Sequence, residues 1–127
     1  MNIPENLYYT KDHEYVKVEN GIGIIGITDY AQGELGDIIY VDITGEIGSE
    51  VKQHDSVGSI EAVKTVSEVF CPISGKIVEI NSNINDNASA INSDPYGEGW
   101  IVKIEISNSE ELKDLLDAKA YKELVGA

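Results

Sequence analysis

The chain has no arginine. All nine of its basic residues are lysine, set against 23 acidic residues in a 127-residue chain, for a formal net charge of −14. Without a guanidinium there is no planar fork for phosphates or base edges, and a surplus of carboxylates repels polyanions, so nucleic acid is excluded as a partner. Cysteine is present once, as Cys71, which rules out an intrachain disulfide and a thiolate metal cluster. Beside Pro72 in a strand-like run, it reads as a small core residue. The two histidines, His13 and His54, lack the HxxxH or HExxH spacing of a zinc site. No apolar run approaches a membrane span, and the opening "MNIPENLYYT" has neither a basic n-region nor an apolar stretch. These absences predict a soluble cytoplasmic protein without membrane contact, or one of the mitochondrial matrix if a presequence has been removed. The acidic residues are spread along the chain, 12 before Lys64 and 11 after it, so the whole surface is anionic and suits partners with basic docking surfaces.

What remains is a chain of one-domain length, residues 1–127, with 42% apolar residues. Short strand-like runs dominate. "WIVKIEI" alternates, with Trp100, Val102, Ile104 and Ile106 on one face and Lys103 and Glu105 on the other. "GIGIIGI", "DIIYVDI", "VGSIEAV", "TVSEVFC" and "GKIVEI" are similar, and Gly45, Gly48, Ser74–Gly75 and Asn-rich stretches punctuate them. This spacing predicts a mainly β sandwich or flattened barrel. In "TDYAQGEL", Asp29 with Gln32 predicts a capped helix. In "NSEELKDLLDAKAYKELVG", Asn108 with Glu111, followed by Leu112, Leu115, Leu116 and Tyr121, predicts a C-terminal helical segment over about 108–125. In "SDPYGEGW", Pro95, Gly97 and Gly99 specify a tight loop that a buried Trp100 would anchor.

"GSIEAVKT" places Gly58, Lys64 and Thr65 as a phosphate-binding loop would, but position 63 is valine where the cradle needs glycine, and Glu61 would repel the ligand. Lys64 instead falls between the runs Val57–Val63 and Thr65–Cys71, which have no glycine or proline turn between them, so the chain reverses at the lysine itself. Ala62, Val63 and Val66 are expected to pack inward and stiffen this hairpin while the amine projects outward. Such a lysine is either a solubilising turn residue or an amine presented to another protein for acylation.

"EAVKTVSEVFCPISGKIVEIN" resembles the hairpin of lipoyl-carrier domains, in which a turn lysine takes lipoic acid in amide linkage (about residues 57–71). Biotin carriers are similar but flank the lysine with methionine, where Val63 and Thr65 stand here. "HEYV", "GITDYAQ" and "NSDPYGEGW", in this order around Lys64, resemble the H-protein family of the glycine cleavage system over Tyr9 to the C-terminus. The resemblance implies a barrel-sandwich hybrid of two antiparallel sheets with short helices and a C-terminal helix, and a monomeric, non-catalytic carrier with lipoic acid on Lys64. It implies Glu14 as a cleft residue for the cationic loaded arm, with Glu34 and Glu68 at two further cleft positions. The implied partners are a pyridoxal-phosphate glycine decarboxylase (P protein), a tetrahydrofolate-dependent aminomethyltransferase (T protein), dihydrolipoyl dehydrogenase (L protein) and a lipoate-attachment enzyme. A lipoyl relay outside glycine breakdown is the alternative.

Overall fold

The computed structural model describes residues 1–126. Nine strands form two antiparallel sheets. They are β1 (Tyr8–Tyr9), β2 (Glu14–Glu19), β3 (Ile22–Ile27), β4 (Ile38–Ile43), β5 (Glu50–Val51), β6 (Ser56–Ala62), β7 (Val66–Phe70), β8 (Gly75–Ile80) and β9 (Val102–Ile106). The larger sheet runs β1-β2-β3-β9-β8-β5 and the smaller β4-β6-β7. Between them lies a core built from the inward residues of both: Val16, Ile25, Ile77 and Ile104 from the first, Val41, Val57, Ile60 and Val69 from the second. Period-two alternation makes this possible, because one residue in two reaches the core while the next meets solvent. Strand β9 shows it, with Val102 and Ile104 buried and Glu105 exposed. Gly26 and Gly58 are among the glycines that mark close approaches. A Cβ on Gly26 would stand 2.7 Å from the Tyr15 ring, and one on Gly58 would stand 2.4 Å from the Asp42 carbonyl oxygen, beside an irregularity in the β6–β7 register.

Four helices pack at the rim: α1 (Asp29–Leu35), α2 (Asn83–Asp86), α3 (Ala90–Ser93) and α4 (Ala118–Val125). The N-cap of α1 is Thr28 and not Asp29: the Thr28 hydroxyl accepts from Ala31 N–H, while the Asp29 carboxylate is drawn away to the Asn2 N–H and the Gln32 side chain. The two one-turn helices α2 and α3 stand in the Asn-rich stretch that reads as loop from its sequence, held by the buried side chains of Ile84 and Ile91. From Asn108 onward the chain makes a 3₁₀ turn over Ser109–Asp114, breaks at Leu115–Asp117, then forms α4. The break lets Leu116 exchange both backbone hydrogen bonds with Tyr9, tying the C-terminal part to β1. A second apolar cluster of Ile3, Leu7, Tyr9, Tyr15, Ala118 and Tyr121 fills the space beneath α4, with the Tyr9 and Tyr121 rings stacked at 4.6 Å.

Two further expectations are corrected. Trp100 is half-buried, with the Lys103 amine 4.8 Å above its ring. Val63 and Val66 do not pack inward: they are 69% and 62% exposed, and only Ala62 of that trio enters the core. The register explains it, since inward-facing Ala62 leaves its neighbours in the turn and the residue opposite Glu61 on the outer face.

Candidate functional site

Lys64 stands exposed at the tip of the β6–β7 hairpin. The loop is short because Ala62 N–H donates to the Thr65 carbonyl at 2.8 Å, leaving Val63 and Lys64 as the reversing pair, neither of them in the left-handed region. A second bond, from Val63 N–H to the Asp37 carbonyl at 3.0 Å, fastens the tip to the approach to β4. Backbone bonds on both sides fix where the lysine stem begins, and among the described residues its amine takes part in no ion pair. Around it, Ile39, Tyr40, Val63 and Val66 are exposed. Tyr40, Glu61 and Val66 lie opposite one another across the three strands, and Ile39 is turned out by the register shift between Ile38 and Tyr40. Half of the eight large exposed apolar side chains of the described residues therefore sit at this end of the small sheet.

Glu14 occupies the opposite situation. It opens β2, is 2% exposed, and is satisfied on both oxygens: the Thr10 hydroxyl donates to Oε1 at 2.7 Å and Phe70 N–H donates to Oε2 at 3.3 Å. Phe70 belongs to the hairpin strand β7, so this carboxylate spans the two sheets. Burial pushes its pKa up to about 7; the Thr10 and Phe70 hydrogen bonds oppose the rise and the Asp12 charge adds to it.

Glu14 lines a cavity of about 140 Å³ together with Asp12, His13, Ile27, Ala31, Glu34, Leu35, Ser67 and Glu68. All three carboxylates singled out from the sequence meet there: Glu14 from β2, Glu34 from α1, Glu68 from β7. Glu34 and Glu68 are exposed at the rim while Glu14 is sunk in the wall. The lining suits the end of an amphipathic arm with a cationic head, since Ile27, Ala31 and Leu35 offer apolar contact and the carboxylates offer charge. The donor set thus fits a lysine-borne lipoyl group whose tip carries an amine.

His13 belongs to the same cavity but is not singled out by its sequence setting. It adopts φ +69°, its Nδ1 lies 2.8 Å from the Tyr121 hydroxyl, and its ring packs on Tyr30 at 4.7 Å. Neither the left-handed backbone nor a partner 108 positions away leaves a trace in local sequence. Elsewhere, Cys71 is fully buried with Sγ donating to the Ile73 carbonyl, and burial pushes its thiol up to about 11.

A pH dependence of stability follows from Glu14. Its folded-state pKa lies above its ordinary 4.5, at about 7, so the folded protein favours the protonated form. The stabilisation is fully present below pH 4.5 and is lost as pH rises through 7, by about 3 kcal/mol at about 1.4 kcal/mol per pH unit. Urea unfolding at a series of pH values will show Glu14→Gln flattening this decline relative to the wild type. Parallel curves for the two proteins would return Glu14 to its ordinary range.

Comparison with known proteins meets this geometry from another side. The family model described as "Glycine cleavage H-protein" matches residues 7–127. The glycine cleavage system H protein of Symbiobacterium thermophilum is 52% identical over 94% of this chain and 93% of its own length. That of Staphylococcus haemolyticus is 49% identical over 99% of each. The crystal structure of a glycine cleavage system H protein from Mycobacterium marinum superposes with a TM-score of 0.89 at 34% identity, covering 98% of this chain and all of the other. With its two-sheet fold and its match along nearly the whole length, the chain belongs to the glycine cleavage H-protein family, the non-catalytic lipoyl carriers of that system.

Proposed function

We propose that Lys64 is the lipoyl attachment residue and that the protein carries the aminomethyl group of glycine from the decarboxylase to the tetrahydrofolate-dependent aminomethyltransferase in the cytoplasm, after which dihydrolipoyl dehydrogenase restores the carrier. The observation that carries this reading is an exposed lysine on a tip pinned by the Ala62–Thr65 and Val63–Asp37 hydrogen bonds, in a chain of this family. The lipoyl group supplies a dithiolane that can accept and release the one-carbon unit; the residues of this chain mount it, shelter its cargo and present it.

A rigid mount matters because a flexible arm searches around a fixed anchor, and its effective concentration at each partner depends on where that anchor stays. Attachment needs the uncharged amine of Lys64 to attack an activated acyl group; the bond to the activating group breaks as that group leaves, the nitrogen gives up a proton, and the resulting amide carries no charge. Arginine at this position keeps the charge but offers no comparable nucleophile. Glu14 then receives the cationic end of the loaded arm. In the empty cavity its proton is held by burial; an arriving ammonium favours the carboxylate and releases that proton at little cost near pH 7, because the buried group is already poised there. Loss of the cargo needs a free lone pair on its nitrogen. A carboxylate that keeps this nitrogen protonated, in a cavity with restricted access to water, delays the loss.

Peptide mass mapping of protein from its native source will find a lipoyl amide on Lys64 and on no other lysine, and Lys64→Arg will be unmodified and unable to support glycine cleavage. A lipoyl group on a different lysine, or full activity of the arginine variant, removes the assignment. For Glu14, the loaded Glu14→Gln protein should lose its aminomethyl group at least about five-fold faster than wild type near pH 7, since a charge-assisted pair contributes about 1 to 3 kcal/mol. Lipoylation should be unchanged. Release at the wild-type rate moves the protection to burial alone.

Docking is a separate matter. The charge of −14 steers the protein toward basic surfaces, and steering by exposed charges is screened beyond about 8 Å at physiological salt. Rates of association with the decarboxylase measured in stopped flow should therefore fall as salt rises, while the exposed Ile39, Tyr40, Val63 and Val66 supply salt-insensitive contact once the tip has arrived. Association rates independent of salt would show that the apolar tip alone governs encounter.

A further inference from the structure

The buried hydroxyl of Tyr121 is unused by any step above. Tyr121 sits on α4, far from the hairpin in sequence, and is fully buried. Its oxygen lies 2.8 Å from His13 Nδ1 and 2.7 Å from Thr28 Oγ1. Each of those residues adjoins one wall of the carboxylate cavity. His13 lines the cavity itself and precedes Glu14; Thr28 caps α1, which presents Ala31, Glu34 and Leu35. The two are also joined by Thr28 N–H donating to the His13 carbonyl at 3.0 Å. One phenol hydroxyl therefore closes the ring His13–Tyr121–Thr28 behind the cavity.

We propose that Tyr121 is a positioning residue for the arm cavity: its hydroxyl accepts from Thr28 and donates to His13 Nδ1, which fixes the spacing between the Glu14 and Glu34 walls and keeps the His13 ring uncharged beside the cargo. The inference rests on the reading that this cavity holds the cationic end of the loaded arm. A neutral ring is required there, because an imidazolium next to Glu14 would compete with the cargo for the carboxylate and repel it. The charged and titratable groups around His13 are the Asp12 and Glu34 carboxylates, with Glu14 and Glu68 lining the same cavity and the Tyr30 and Tyr121 rings against it. The carboxylates favour a proton on the ring. Burial opposes them and prevails, lowering the His13 pKa below its ordinary 6.5. A hydrogen bond donated into Nδ1 acts in the same direction, since it stabilises the neutral form only.

The test is Tyr121→Phe in the lipoylated protein, with Leu124→Ala, on the exposed side of the same helix, as the control for a general disturbance of α4. With two histidines in the chain, His54→Gln assigns the ring signals for a titration by nuclear magnetic resonance. Loss of the hydroxyl should raise the His13 midpoint toward 6.5 and speed loss of the aminomethyl group by several-fold at pH 6, with the ratio to wild type shrinking as pH rises. Leu124→Ala should match wild type in both. A midpoint that stays or falls, or a release ratio of one at every pH, overturns the proposal. Should Tyr121→Phe fail to fold, ring nitrogen shifts of the wild-type protein decide alone: a proton-free Nδ1 with a proton on Nε2 supports the assignment, and a proton on Nδ1 overturns it. If Glu14→Gln has no effect on release, the pairing of Glu14 with the cargo fails and protection rests on burial alone, while the titration still judges the role of Tyr121. If Glu14→Gln acts and Tyr121→Phe does not, only the present inference falls.

Discussion

The Glu14 carboxylate, held between the Thr10 hydroxyl and the Phe70 N–H, is the contact on which the rest of the site depends. It is a polar link between the larger sheet and the strand that carries the lysine hairpin, made by an ionisable group placed out of water. A buried carboxylate is costly unless its oxygens are satisfied. Two hydrogen bonds offset part of that cost and leave a group whose protonation is undecided near neutral pH. The fold thereby keeps an ionisable group in its wall a few residues away from the apolar core.

Much of this organisation was legible in the residues. Alternation in "WIVKIEI" placed Val102 and Ile104 in the core, and the two runs flanking Lys64 became β6 and β7 with the turn at the lysine. Glu14, Glu34 and Glu68 came from a resemblance and meet around one cavity. What escaped was set by contacts across the fold. Thr28 displaced Asp29 as a cap because the aspartate found the Asn2 amide 27 positions away. Val63 and Val66 stayed outside because apolar character does not tell which face of a two-residue turn the core occupies. His13 and Tyr121 were invisible as a pair, since a hydrogen bond between the start of β2 and the last helix is written in no local pattern.

Lys64 and the cavity make opposite demands of the small sheet, and the sequence meets both within a few residues. The tip needs rigidity without a covering, so the hairpin is closed by backbone hydrogen bonds and left with exposed valines. The cavity needs shelter, so the far end of the same strand runs inward to Val69 and on to Phe70, which meets the Glu14 carboxylate. Strong apolar exposure at one end is compatible with solubility because the remaining surface is dense in carboxylates.

The burial of Cys71 has a consequence for selectivity of a different kind. A chain bearing a disulfide-forming arm exposes its own thiols to that arm at high local concentration, and an accessible thiolate would divert it into a mixed disulfide. Cys71 has no exposed surface, spends its hydrogen on the Ile73 carbonyl, and has a thiol pushed up to about 11. At pH 7 that leaves about one molecule in ten thousand as thiolate, and none within reach of solvent. The chain's single thiol is thus kept out of redox exchange.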